Sequence, residues 1–299
     1  MGLGHDLGFL AGQSTIAFVT SNMLVMGMSL TVPQIVYPLR SKRLVLLTLL
    51  GNFVFVPLLA YGILRLIPLD EPLQIGLIIL STAAGAPFLP KLVQISRGDI
   101  ALGVGLTMLL MVVTTAYMPI VLPLLLPGIA VKPWDIAETL IVYMLIPLTI
   151  GLGIRHYASK GANRYRGLLS KVSTLFLSIS VVLNVVLSGA NIIRLMGTGS
   201  LLALLLFIAG SLVIGLFLGG PDPSIYKVTG LGTAQRDLAA AIAVSARNFP
   251  GTMTMPFIVV AAILLLLILL PTARYLDLRS ERGGACQAAR SLRSRWLRP

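Results

Sequence analysis

Gly85-Ala86-Pro87-Phe88-Leu89-Pro90-Lys91 interrupts an apolar stretch that is otherwise long enough to enter a membrane. In the other half of the chain, Gly230-Leu231-Gly232-Thr233-Ala234-Gln235-Arg236-Asp237 makes a second interruption of the same kind. A lysine, an arginine or an aspartate at bilayer depth each costs about 3 kcal/mol on insertion scales, more if unpaired. Backbone groups freed at that depth are tolerated only when protein buries them or when they line a wet cavity. Paired interruptions at corresponding positions of two halves therefore point to a binding site between two broken helices, as in secondary transporters.

The rest of the chain fits that reading. Hydrophobic residues make up 57% of the 299 and charged residues only 11%, against roughly a quarter charged in soluble domains. The apolar stretches lack strict alternation and run past the ~10 residues of a barrel strand, so the spans are helices. About nine crossings are expected, near 10–30, 44–66, 73–95 (broken), 101–126, 138–154, 172–192, 200–219, 226–248 (broken) and 252–273. Pro33–Pro38 is expected to lie along the interface before the second span. Basic residues cluster at Arg40–Arg43, at Arg155–Lys171 and in the seven arginines after Leu270. Such clusters mark cytoplasmic segments, which orients the chain with its N-terminus outside and its C-terminus in the cytoplasm. The expected organisation is an N-terminal half over 1–154, a basic cytoplasmic loop over 155–171, a C-terminal half over 172–273 and a basic tail over 274–299. The first broken span enters from outside and the second from inside, so the halves read as inverted repeats.

Candidate site residues follow from the breaks. Gly85 and Gly232 permit close backbone approach, while Pro87 and Pro90 remove backbone donors and favour a break. Half-helix N-termini at the crossing would offer N–H groups to an anion. Lys91, Arg236 and Asp237 would meet near the midplane if the breaks cross, giving fixed positive charge with Asp237 as partner or titrating group. Lys91 has a rival reading, snorkelling to the interface, and all three have one in a neutralising salt bridge. Gln235 is an uncharged polar group within a break. Asn52 stands alone in an apolar span, where interhelical hydrogen bonding is the commoner role. Thr107, Thr114 and Thr115 follow the first break and can simply back-bond along their helix.

Several function classes are set aside by the same residues. There is no P-loop, and His5 and His156 lie far apart at membrane edges, so neither ATP hydrolysis nor a metal cluster is expected. Basic residues flank spans instead of decorating a soluble domain, which argues against nucleic acid. No enzyme chemistry is legible, and no oligomeric state either.

Three stretches resemble the bile acid:sodium symporter family over about Val25 to Ala273. Met26-Gly27-Met28-Ser29-Leu30 is similar to an early-span motif. Gly85 to Asp99, closing with Arg97-Gly98-Asp99-Ile100-Ala101-Leu102, resembles the first broken helix. Gly232 to Ala241 resembles the second, with Gln235 at the family's glutamine. The resemblance implies a panel domain and a core domain of inverted repeats, moving small organic anions by alternating access, with sodium usually coupled. Asn52, Thr107 and Gln235 remain as matches or near-matches to its polar site positions.

The sodium positions depart from the family. Its Ser-Asn pair falls on Leu89-Pro90, its acidic ligand on Leu231, its second asparagine on Arg236 and a serine of the next span on Gly103. Leucine and proline side chains cannot coordinate a hard cation, which wants several oxygens. Lys91 and Arg236 are expected to take the electrostatic place of sodium, leaving transport sodium-independent, with proton coupling through Asp237 or anion exchange as the drive. The alternatives are a sodium-coupled symporter with an altered ion site and a membrane sensor that has lost translocation.

Overall fold

Prolines and aspartates divide the chain into its elements. The computed structural model describes residues 2–29, 41–126, 132–195 and 199–296, and every regular element among them is helical. In order these are α1 Gly2–Ser29, α2 Lys42–Leu66, α3 Glu71–Thr82, α4 Leu89–Ile95, α5 Ile100–Leu125, α6 Pro133–Tyr157, α7 Ser159–Leu195, α8 Ser200–Leu218, α9 Pro223–Ala234, α10 Leu238–Asn248 and α11 Thr254–Trp296. Among the described residues, α2, α5, α6, α8 and the Thr254–Arg279 part of α11 are each long and apolar enough to cross a membrane. The shorter α3 is apolar too. Helix runs through most of the described part of each of the nine expected stretches, five of which are long and apolar enough to cross, and both interruptions fall where the prolines, glycines and charges put them.

Aspartates start the helices that flank the breaks. Asp99 accepts from the N–H of Leu102 at 3.0 Å, Asp222 from Ser224 at 2.8 Å, and Asp237 from Ala239 and Ala240 at 3.1 and 3.2 Å. Each satisfies donors that a helix N-terminus leaves free. Past the end of α4, Arg97 has a φ of 51° that lets Gly98 N–H reach back to Val93 O at 3.0 Å, a Schellman-type closure.

α1 packs chiefly along α6 and α7, forming a panel. The remaining helices pack around α3, α5, α8 and α9 as a core. The broken pairs α3–α4 and α9–α10 cross antiparallel within it. At one end Asp99 N–H donates to Ser224 O at 3.2 Å, and at the other Thr254 Oγ1 donates to Pro72 O at 2.9 Å. Midway, Asp237 N–H donates to Ala83 O at 3.0 Å. The crossing is therefore real and inverted.

One expectation is revised. Arg155–Lys171, read as a loop, is helical except at Ala158, which ends α6 and admits α7. Its polar composition reflects exposure, with Tyr165 to Leu168 all exposed, and not irregular backbone. Pro33–Pro38 lies outside the described residues.

Candidate functional site at the helix crossover

The first break is built around Gly85. Its φ is +91°, and a Cβ there would run into the backbone nitrogen of Met111 on α5. Only glycine meets both conditions without strain. Next to it, one hydroxyl satisfies a whole freed peptide. Thr114 Oγ1 accepts from Ala84 N–H at 3.1 Å and donates to Ala84 O at 2.9 Å. Gly232 answers from the second broken helix, where a Cβ would come 2.9 Å from Leu89 Cδ2.

Asn52 sits in a π-helical turn of α2, Gly51–Phe55, a form often found at functional positions. Pro57 lacks the N–H that would bond Phe53 O, and Tyr117 Oη donates to that carbonyl at 2.6 Å instead. The side chain of Asn52 is buried and makes three bonds. Its Nδ2 donates to Thr48 O at 3.0 Å and Thr233 Oγ1 at 3.3 Å, and its Oδ1 accepts from Arg236 Nη2 at 2.8 Å.

Arg236 is the largest fully buried side chain among the described residues. Its Nη1 donates to Ser81 O at 3.3 Å, and its Nη2 also donates to Thr233 O. The guanidinium carbon stands 6.0 Å from the Phe207 ring centroid, within cation–π range. One cation thus ties α2, the C-terminal ends of α3 and α9, and α8 together. Oxygens at helix C-termini carry partial negative charge, so the placement is electrostatically sound.

Asp237 is fully buried beside it, yet the two make no ion pair. Asp237 Oδ1 caps α10, while Oδ2 has no hydrogen-bond partner. Asp237→Asn keeps the capping oxygen, whereas Asp237→Ala removes it at about 1 kcal/mol. Thermal unfolding is expected to show the alanine variant below wild type and the asparagine variant at or above it.

A cavity of about 340 Å³ lies between panel and crossover, lined by Asn22 and Thr174 of the panel and by Pro87, Gln235 and Ala239 of the core. Gln235 is buried, and its Oε1 has no protein partner. A second cavity of about 550 Å³ shares Asn22, Val25 and Pro87 with the first, and Pro90, Lys91, Gln94 and Arg166 also line it.

Three sequence expectations change. Lys91 does not join Arg236 and Asp237. In α4, Leu89, Leu92 and Val93 face the core, which turns Lys91 outward, where its Nζ donates to Gln94 Oε1 at 3.1 Å. Thr107 back-bonds to Gly103 O at 2.8 Å, so Thr114 is the threonine that serves the break. The half-helix N-termini are not open to an anion. Ala239 and Ala240 bond Asp237, Leu89 N–H bonds Ala86 O at 3.0 Å, and Lys91 N–H bonds Phe88 O at 3.1 Å. Arg236 likewise directs Nη1 and Nη2 into the core, although the residue also lines the smaller cavity and its Nε has no partner among the described residues.

Sequence reasoning missed Thr233, Ser81 and Phe207 around Arg236, and Asn22 and Arg166 on the panel. It also passed over Lys227, buried with its Nζ 2.8 Å from Ser96 O. A lysine inside an apolar helix, about two turns before its break, was the available signal for the last.

The chain is similar to a curated relative, the probable sodium/metabolite cotransporter BASS3, chloroplastic, of Oryza sativa subsp. japonica. They are 23% identical over 199 residues, which is 66% of this chain and 47% of that protein. The chain thus matches about half of the relative's length. The sequence profile of the Sodium Bile acid symporter family matches residues 16–195, more than half of the 299. With two broken helices crossing antiparallel behind a panel, and this match, the chain belongs to the sodium bile acid symporter family.

Proposed function

We propose that the protein is a secondary carrier of small organic anions that works by alternating access, with Arg236 standing where the family uses a coupling cation. The relative's name pairs sodium with a metabolite. The metabolite half carries over to this chain, and the sodium half does not. The observation that carries the reading is the set of oxygens around Arg236: Asn52 Oδ1, Ser81 O and Thr233 O. Carboxamide and carbonyl oxygens are the ligands a hard cation takes, and a guanidinium already occupies them.

Two cavities support a substrate path. The smaller lies at the crossover between panel and core, and the larger opens beside Lys91 and Arg166. By the distribution of basic clusters, the Lys91 mouth faces the cytoplasm. On the opposite side, Arg247 Nη2 of the core stands 3.5 Å from Glu138 Oε1 of the panel. Rocking the core against the panel would part that pair and close the Lys91 mouth. Gln235, whose amide oxygen has no protein partner, is the crossover residue assigned to substrate contact.

Counterflow in proteoliposomes tests the proposal. Vesicles preloaded with an organic acid and diluted into its labelled form are expected to show transient, saturable accumulation without sodium on either side. Flux that rises linearly without saturation would make the protein a channel. Binding without counterflow would make it a sensor.

A further inference from the structure

The larger cavity carries a charge pattern that the crossover reading does not use. Lys91 comes from the core and Arg166 from the panel, and both line it with Asn22 and Gln94. Among the described residues that line it there is no carboxylate. Lys91 donates to the neutral amide of Gln94, and neither cation has an acidic partner among the described residues. Two cations without acidic partners lining one cavity repel each other, a cost that a doubly charged anion bound by both removes. Asn22, Val25 and Pro87 line both this cavity and the crossover lobe, so the two lie side by side.

We infer that Lys91 and Arg166 form an anion subsite that selects organic dianions, molecules with a second carboxylate or a phosphate. This rests on the carrier reading and names the substrate class. Arg236 lines the smaller cavity only and commits Nη1 and Nη2 to Asn52, Ser81 and Thr233, so Lys91 and Arg166 are the cations that line this larger cavity. Arg166 can grip a carboxylate through two parallel N–H donors, while Lys91 acts as a point charge. The rest of the ligand extends toward Gln235 past the apolar walls. Because the two cations belong to different domains, a bound dianion also links panel to core.

The test is titration calorimetry on the purified full chain, using the dicarboxylates from malonate to adipate and monocarboxylates of matching length. At least one dicarboxylate is expected to bind about tenfold more tightly than its monocarboxylate. Lys91→Gln and Arg166→Gln are each expected to remove about that factor while changing monocarboxylate affinity by less than about twofold. Retained monocarboxylate binding shows that a variant is folded. Equal affinity for the two series, or a dianion preference that survives both substitutions, overturns the subsite. Monocarboxylate counterflow would then leave the carrier reading standing. Absence of binding by every acid overturns both.

Discussion

Arg236→Ala is expected to lower the unfolding free energy by about 3 kcal/mol, since each buried acceptor left without a donor costs roughly 1–3 kcal/mol. Asn52 Oδ1, Ser81 O and Thr233 O all lose their partner. Part of that loss is offset because a guanidinium no longer has to be held away from water. The variant also vacates a cluster of oxygens at the ends of two helices. Sodium should therefore stabilise Arg236→Ala when potassium at the same ionic strength does not. At tenfold excess over its dissociation constant the gain would be about 1.4 kcal/mol. Denaturant unfolding of the variant in the two salts measures both effects. A variant as stable as wild type would show that Arg236 is dispensable to the crossover.

Gly85→Val is the second large effect, expected to cost at least about 3 kcal/mol. A β-branched residue at φ +91° is strained by roughly 1–3 kcal/mol, and overpacking commonly adds 1–3 more. No rotamer avoids the collision, because the obstacle is the backbone of α5 at Met111. Relief would require α5 to move away, which breaks both Thr114 bonds to Ala84. Folded yield and the unfolding midpoint report the outcome. A Gly85→Val protein that melts like wild type would mean that the break tolerates another geometry.

The architecture was legible because its causes are local. Pro87 and Pro90 cannot continue a helix, and Gly85 permits what other residues avoid, so the first break was visible from residue types. The second, at Gln235 to Asp237, showed through charges inside an apolar stretch. Directions were not legible. Lys91 and Arg236 both follow a break, yet one faces outward and the other inward. That difference depends on which face of α4 packs on the core and on where Asn52 and Phe207 arrive from distant helices. Thr107 and Thr114 are two turns apart on one helix, and only the tertiary position of Ala84 distinguishes them. Asp237 was read as a partner for Arg236, whereas a capping bond two residues ahead is geometrically easier. The polar run Arg155–Lys171 reads equally as a loop or as an exposed helix, because polarity reports solvent and not backbone.

In the proposed carrier, the guanidinium fixed at the crossover takes the place of sodium. The most direct test is the thermal unfolding midpoint of the purified wild-type protein, followed as sodium replaces potassium at constant ionic strength. Ligands that bind only the folded state raise stability in proportion to the logarithm of their saturation. The expected result is a flat curve, with equal midpoints in the two salts at every ratio. A saturable rise specific to sodium would show that the cation binds beside Arg236 and would contradict the substitution of one charge for the other.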